Sequence, residues 1–337
     1  MDKKRKALRL SAFLSLVLVL SFCFSSCSGV RSGQSASQTI SSASAESGVA
    51  DRYAEIFDSS EDAGKLVARF LKLTSSDPET KSGDSAIVTF PDGQIMLIDA
   101  GNPTCGATVV QCLQDMGVEK LDAVVVSHPH IDHVGGMEEV LNAFEVAVIY
   151  QSALEYPTET VKNYNKLVDR LQIPVTLLAE GDEFDFGGAH IKIFNPPPKI
   201  EYPDGYPENS TQFVNNCSIA MRITYEDSSL LFAGDLYSPG EARIIEAYGE
   251  ELQSDVIKGN HHGDDTSNTR TFIKTVQPKI CVIMHDSLAS LDVYKAYRRN
   301  DAETYLCYLD GCVKVTADGT KNYQVLTQYD RQSDFLE

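Results

Sequence analysis

The feature that most restricts what this chain can become is a recurring arrangement in which a short apolar run stops at a group able to bind a metal ion. Val124-Val125-Val126 runs into Ser127-His128-Pro129-His130-Ile131-Asp132-His133. Ile95-Met96-Leu97-Ile98 ends in Asp99-Ala100-Gly101, and Leu230-Leu231-Phe232 ends in Ala233-Gly234-Asp235. Val256-Ile257-Lys258 leads to Gly259-Asn260-His261-His262-Gly263, and Val282-Ile283-Met284 to His285-Asp286. Short runs rich in β-branched residues and bounded by turn residues read as strands. In an open α/β arrangement the ends of such strands collect on one edge, which is where sites form.

The same reading places strands at 66–73, 85–90, 95–98, 123–126, 147–150, 190–194, 218–225, 229–232, 256–258, 280–284 and 305–309. Helices fit 108–116, 137–143, 158–170, 239–248, 269–276 and 291–299. With 42% hydrophobic residues in 337 there is ample material for a large core. A single mixed α/β domain over 64–330 is expected, because no second serine-rich linker recurs.

The first 26 residues have a different plan. A basic start (Lys3, Lys4, Arg5, Lys6, Arg9) precedes an apolar run from Leu8 to Phe24 and the small residues Ser25 and Ser26. That is the plan of an export signal peptide, and Phe-Ser-Ser-Cys resembles a lipobox that would make Cys27 a lipidated N-terminus. The run is slightly short for the ~20 apolar residues of an uncleaved membrane span, the other reading. Residues 27–63 would then be the lipidated start and a Ser-rich tether, with a short helix within 51–63. The domain is expected to be a cell-membrane lipoprotein on the extracytoplasmic side. Setting aside those 26 residues, with five bases and one acid, takes the formal charge from −19 to −23. Such a surface disfavours long polyanions, and no stable nucleic-acid complex is expected. Export would permit disulfides among Cys105, Cys112, Cys217, Cys281, Cys307 and Cys312; Cys281 reads as core, while Cys307 and Cys312 fit either a pair across a hairpin or two free thiols.

His128, His130, Asp132 and His133 put four ligand groups within six residues. Neutral imidazoles and a carboxylate suit borderline divalent cations such as zinc. A loop after a strand can turn His128 and His130 toward one ion and Asp132 and His133 toward a second. Two ions ~3.5–4 Å apart would clamp a phosphoryl or acyl centre and activate a water.

The order DAG, HxHxDH, GD and HHG resembles the metallo-β-lactamase fold hydrolases. The closer likeness is to the ComEC-type branch, carried by Val88–Gly93 leading to Asp99-Ala100-Gly101, then Asn215-Asn216-Cys217-Ser218-Ile219, Gly234-Asp235 and His261-His262-Gly263, over roughly residues 66–327. The resemblance implies a four-layer αββα sandwich and two divalent ions, zinc or manganese. His128 and His130 would bind the first ion, Asp132 and His133 the second, and Asp235 both. His261 or His262 would complete the second site, the other touching substrate or a neighbouring carboxylate. Asp99 would organise ligands without being one. The wider fold has a further His before the bridging Asp, and here Asn215-Asn216-Cys217-Ser218 occupies that place. Asn216 would supply an amide oxygen or touch substrate, joining Asp132 and His262 as the residues of the reaction.

Asp264-Asp265 follow HHG where the branch usually has Ser, and read as solvated acids with a cation-binding role as the alternative. His190 alternates with apolar residues and reads as a solvent-facing strand residue, whereas His285 fits a substrate contact or a structural hydrogen bond equally well. The 195–215 insertion, with Tyr202, Tyr206 and Phe213, reads as a self-packed loop near the entrance.

The function these residues support is an exported hydrolase using a dinuclear metal-activated hydroxide, on small, wall-linked or nucleic-acid phosphodiesters or other esters. The acidic surface favours a small or zwitterionic diester over long DNA, and the missing third His argues against a β-lactam. A lipid-anchored, non-catalytic binding protein with a partial metal site is the alternative from a different class.

Overall fold

Val124 and Val126 project from one side of strand Ala123–Val126 and Ala123 and Val125 from the other, and all four are buried. A strand covered on both faces needs no polar side, so its sequence reads as an uninterrupted apolar run. The second sheet repeats this: in Ser228–Phe232, Leu230 and Phe232 face one core and Leu231 another; in Ile280–Ile283, Ile280 and Val282 oppose Cys281 and Ile283. Three apolar cores imply four layers, and the architecture is the expected αββα sandwich. The structure, a computed structural model, describes residues 51–77, 79–202, 207 and 209–336. The expected signal peptide, the lipidated Cys27 and the serine-rich segment to residue 50 lie outside the described residues, as does Tyr206.

One sheet has eight strands in the order Tyr323–Thr327, Val313–Ala317, Leu66–Phe70, Ala86–Thr89, Ile95–Ile98, Ala123–Val126, Ile149–Gln151 and Val175–Leu177. The other has seven: Glu303–Leu306, Ile280–Ile283, Val256–Lys258, Ser228–Phe232, Ala220–Tyr225, Ala189–Asn195 and Glu183–Phe186. Between them lies the core of Leu66, Phe70, Val88, Ile191, Met221 and Val282. Helices Gly106–Asp115, Met137–Ala143 and Glu159–Leu171 cover the first sheet, and Ser238–Tyr248, Arg270–Val276 and Leu291–Arg298 the second.

Chain direction decides where the site falls. Ile95–Ile98, Ala123–Val126 and Ile149–Gln151 run parallel, as do Ser228–Phe232, Val256–Lys258 and Ile280–Ile283. The ends of these strands in both sheets meet at one edge. A backbone bond joins the two sheets there, Ile219 N–H donating to Ser127 O at 2.8 Å, and within the second sheet His261 N–H donates to Gly234 O at 3.2 Å.

Several expectations change. The domain begins before residue 64, because Tyr53–Phe57 forms a helix whose Ile56 and Phe57 are buried in the first outer core with Leu71 and Leu113. Cys307–Asp310 is a helix, not a hairpin turn, and the strand before it is Glu303–Leu306, not 305–309. All six described cysteines are buried and free. Within the insertion, Ser210 caps a helix at Thr211–Asn216, and Tyr202 stacks on Phe213 at 3.9 Å, so the described part is self-packed as expected.

Candidate metal centre

Asp235 stands at the middle of the edge. It follows Ser228–Phe232 through Gly234, whose φ of +51° makes the tight turn that a side chain would strain. Its Oδ2 atom lies 3.2 Å from His133 Nε2 and 3.2 Å from His262 Nε2. His128 Nε2 and His261 Nε2 are each 3.9 Å from the same oxygen. His130 joins through its Nδ1, 3.0 Å from His128 Nε2, and Asp132 through Oδ2, 3.3 Å from His262 Nε2.

Two histidines are oriented from behind. The Asp99 carboxylate accepts from Ser127 N–H and hydroxyl and sits 2.8 Å from His133 Nδ1; Asp84 Oδ1 is 2.9 Å from His262 Nδ1. A carboxylate on Nδ1 fixes the ring and leaves Nε2 to point forward, which is how metal-binding histidines are held. Asp99, expected to organise ligands, stands behind His133. The forward Nε2 atoms of His133 and His262 are buried without a hydrogen-bond partner in the chain. Asp84, His133, Asp235 and His262 offer ligand-type atoms within 4.8 Å of one another. Unpartnered buried nitrogens facing carboxylates suit a divalent cation, so the residues present fit the group.

Electrostatics divides the histidines. Burial lowers His128, His130 and His261, the last to about 4, keeping these rings neutral and able to donate lone pairs. Burial opposes charge on His133 and His262 too, but Asp235, with Asp99 or Asp84, outweighs it and raises both, His133 to about 10. For Asp84 the sign reverses: burial alone would raise it, yet the charges of His262 and Lys258 bring it down to about 2. Asp132 is likewise lowered, against burial, by the neighbouring His262 and the His133 charge.

His261 and His262 meet different members of the cluster. Only His262 comes near both Asp132 and Asp235, while His261 Nδ1 is tied to Thr266 Oγ1 at 2.6 Å and its ring faces Tyr237. Both hold left-handed backbone, φ +45° and +54°. This costs energy in non-glycine residues and persists where neighbours enforce it. Here Glu241 accepts from Asn260 Nδ2 and from the Asn268 and Thr269 N–H groups, fastening the loop.

Asn216 is not brought into the cluster, and this corrects the expectation. Its Oδ1 accepts from Gly240 N–H at 3.1 Å, capping the start of Ser238–Tyr248, and the chain turns helical at 211–216, which aims the preceding residue inward instead. Asn215 is buried, lies against His130 and Tyr237, and leaves its Oδ1 without a hydrogen bond. Asn216→Ala should therefore cost about 1 kcal/mol of stability, the value of a lost cap, and leave metal loading unchanged. Asn215→Ala should weaken loading; titration of both with a chromophoric chelator checks this.

Asp84 and Lys258 were missed as site residues. Asp84 precedes its strand, and a search of strand C-termini passes over it. Because Ala86–Thr89 runs antiparallel to Ile95–Ile98, its beginning lies at the site edge. Asn215 obeys the same rule, ahead of Ala220–Tyr225, which is antiparallel to Ser228–Phe232. Gly83 makes the arrangement possible: at φ +78°, a Cβ would stand 1.6 Å from Asp132 O. Gly83→Ala should cost at least about 2 kcal/mol from left-handed strain and overpacking, measurable as a lowered urea midpoint.

His285 sits at the rim, its ring 5.6 Å from His262 and its Nδ1 accepting from Ser287 N–H at 2.9 Å. His190 is exposed between Glu183 and Asp185, as expected of a solvent-facing strand residue. Asp264 accepts from Thr266 N–H within its turn, and Asp265 is exposed. Beside His128 and Pro129 a groove of about 600 Å³ opens between the 151–157 loop and Glu159–Leu171. Tyr156 stands at its head, edge-on to His130 at 5.6 Å.

Residues 79–203 match the model of the metallo-β-lactamase superfamily, and the chain carries a domain of that superfamily, whose members are mostly metal-dependent hydrolases. Among curated relatives, the competence protein ComA of Neisseria gonorrhoeae is 27% identical over 188 residues, 56% of this chain and 23% of that protein. Anti-Pycsar protein Apyc1 of Bacillus phage vB_BsuM-Goe3 is 46% identical over 59 residues, 17% of this chain and 21% of its own. The matched regions span under a quarter of either relative. The metallo-β-lactamase fold protein YhfI from Bacillus subtilis superposes with a TM-score of 0.45 at 15% identity, covering 72% of this chain and 96% of that one. Among the described residues no helix is long and apolar enough to cross a membrane.

Proposed function

We propose that this protein is an exported, lipid-anchored hydrolase that uses two divalent cations, zinc or manganese, on phosphodiesters. The observation that carries the reading is the convergence of four imidazole Nε2 atoms on one oxygen of Asp235, at 3.2 to 3.9 Å. His128, His130 and His261 would hold the first cation and Asp132, His133 and His262 the second, with Asp235 shared. His190 is exposed on its strand, and in this assignment His261 takes the place of the further His expected before Asp235, filling the gap that motivated a non-catalytic binding protein. When bound, the cation pair supplies Lewis acidity toward the ester and a water of lowered pKa. The chain's own contribution is to hold the seven ligands with carboxylates and backbone, to keep Asp132 ionised, and to offer Asn215, Tyr156 and His285 around the opening. The resemblance to the ComEC-type branch supports a phosphodiester, and the formal net charge of −23 beyond the first 26 residues supports a small one.

The test is to strip the full chain with chelator, reload it with zinc or manganese, and count ions per chain while following bis(p-nitrophenyl) phosphate. Two ions and turnover of the diester above the corresponding monoester and above a β-lactam are expected. One ion or none, with no turnover of any ester, would return the binding-protein reading.

A further inference from the structure

Lys258 is a buried cation lodged among the ligands of a proposed cation site, which calls for a physical reason. It ends strand Val256–Lys258, and since Val256 faces the core between the sheets and Ile257 the helices, alternation sends Lys258 inward at the site edge. The side chain is about 3% exposed. Burying an ammonium is costly unless it is paired and its protons are used. Here two protons are donated, to Gly234 O at 2.7 Å and Asp235 Oδ1 at 3.3 Å, and Asp84 Oδ2 forms an ion pair with the ammonium.

These contacts divide the oxygens of two carboxylates. Asp235 gives Oδ1 to Lys258 and Oδ2 to the four imidazoles; Asp84 gives Oδ2 to Lys258 and Oδ1 to His262 Nδ1. Freed from Lys258, Asp235 could turn and chelate one cation with both oxygens, leaving none to share. Charge points the same way. Asp84, Asp99, Asp132 and Asp235 are four negative charges at the centre, and one buried ammonium brings their sum close to what two divalent cations neutralise together with one anionic oxygen.

We infer that Lys258 is a positioning residue that makes Asp235 present a single oxygen to both cations, and so sets the metal count at two. The inference rests on the two-cation reading above. It assigns Lys258 no proton transfer and no contact with substrate.

The experiment measures zinc stoichiometry and affinity of the chelator-stripped full chain against a chromophoric chelator, with circular dichroism to confirm folding. Wild type, Lys258→Met and Lys258→Arg are compared. Lys258→Met should bind one ion nearly as wild type does and the other about 10- to 100-fold more weakly, the range of lost supporting contacts. Lys258→Arg, whose guanidinium can span both carboxylates, should keep two. If Lys258→Met binds both ions like wild type, or folds and loses both equally, the inference is overturned. If Lys258→Met does not fold, Lys258→Arg decides: two ions support the inference, and a folded arginine variant lacking one overturns it. A wild-type protein that binds fewer than two ions would overturn the underlying reading as well, which separates the two failures.

Discussion

Asp235→Asn should fold, bind less than one divalent cation per chain, and lose at least about 1,000-fold in kcat/KM on a phosphodiester, roughly 4 kcal/mol of transition-state stabilisation. Asp235 Oδ2 is the oxygen toward which His128, His133, His261 and His262 all turn, so replacing its charge by a neutral amide weakens both proposed positions at once. Asp132→Ala should be milder in metal content, because Asp132 meets only His262 among the imidazoles around Asp235 and belongs to one position. It should retain about one ion per chain and still lose turnover, since both cations are needed to clamp the ester. Metal counting by emission spectroscopy beside initial rates separates the outcomes. Two retained ions in Asp235→Asn would require another bridge and would sink the assignment.

The core was legible wherever burial on both faces removed polar alternation. Ile95–Ile98, Ala123–Val126 and Val256–Lys258 fall where expected because nothing in those runs competes with a buried strand. Edge strands were not legible. Val175–Leu177 is exposed along its whole length and Glu183–Phe186 carries acids, so neither has the apolar run of an inner strand. Val313–Ala317 does alternate, with Val313, Val315 and Ala317 buried and Lys314 and Thr316 outward, but a search for continuous apolar runs passes over it. In the site, His128, His130, Asp132 and His133 stood out because they cluster in sequence, and Asp235 and the His261-His262 pair because each follows an apolar strand run. Asp84 is brought to His262 from 178 positions away by an antiparallel neighbour, and strand direction is a property of the sheet, not of any local stretch. Asn215 and Asn216 are indistinguishable by composition; one turn of helix decides which faces His130.

The chelator-treated protein should lose stability steadily between about pH 6.5 and 10, on the order of several kcal/mol, and the zinc-loaded protein should not. Burial alone would disfavour charged His133 and His262 rings, but Asp235 with Asp99 and Asp84 raises both, His133 to about 10. In the unfolded chain these rings titrate near ~6.5. Below that value both states are protonated and the buried ion pairs contribute fully. As pH climbs, the unfolded chain has already released protons that the folded state still holds, and the contribution is gone once pH passes the folded value. Asp84 acts on the other flank: held at about 2 by His262 and Lys258 against its burial, it contributes above ~pH 4 and loses that contribution as pH falls toward 2. Burial lowers His128, His130 and His261, so protonation of these rings in the unfolded chain also costs stability as pH falls below ~6.5, and the metal-free protein should be most stable at about pH 6.5. Zinc must displace the same ring protons, so its binding strengthens as pH rises. The difference in Tm between loaded and stripped protein should accordingly widen from pH 5 to pH 9. Parallel Tm profiles would mean that His133 and His262 do not share their Nε2 atoms with a cation, and the second position would have to be built from other residues.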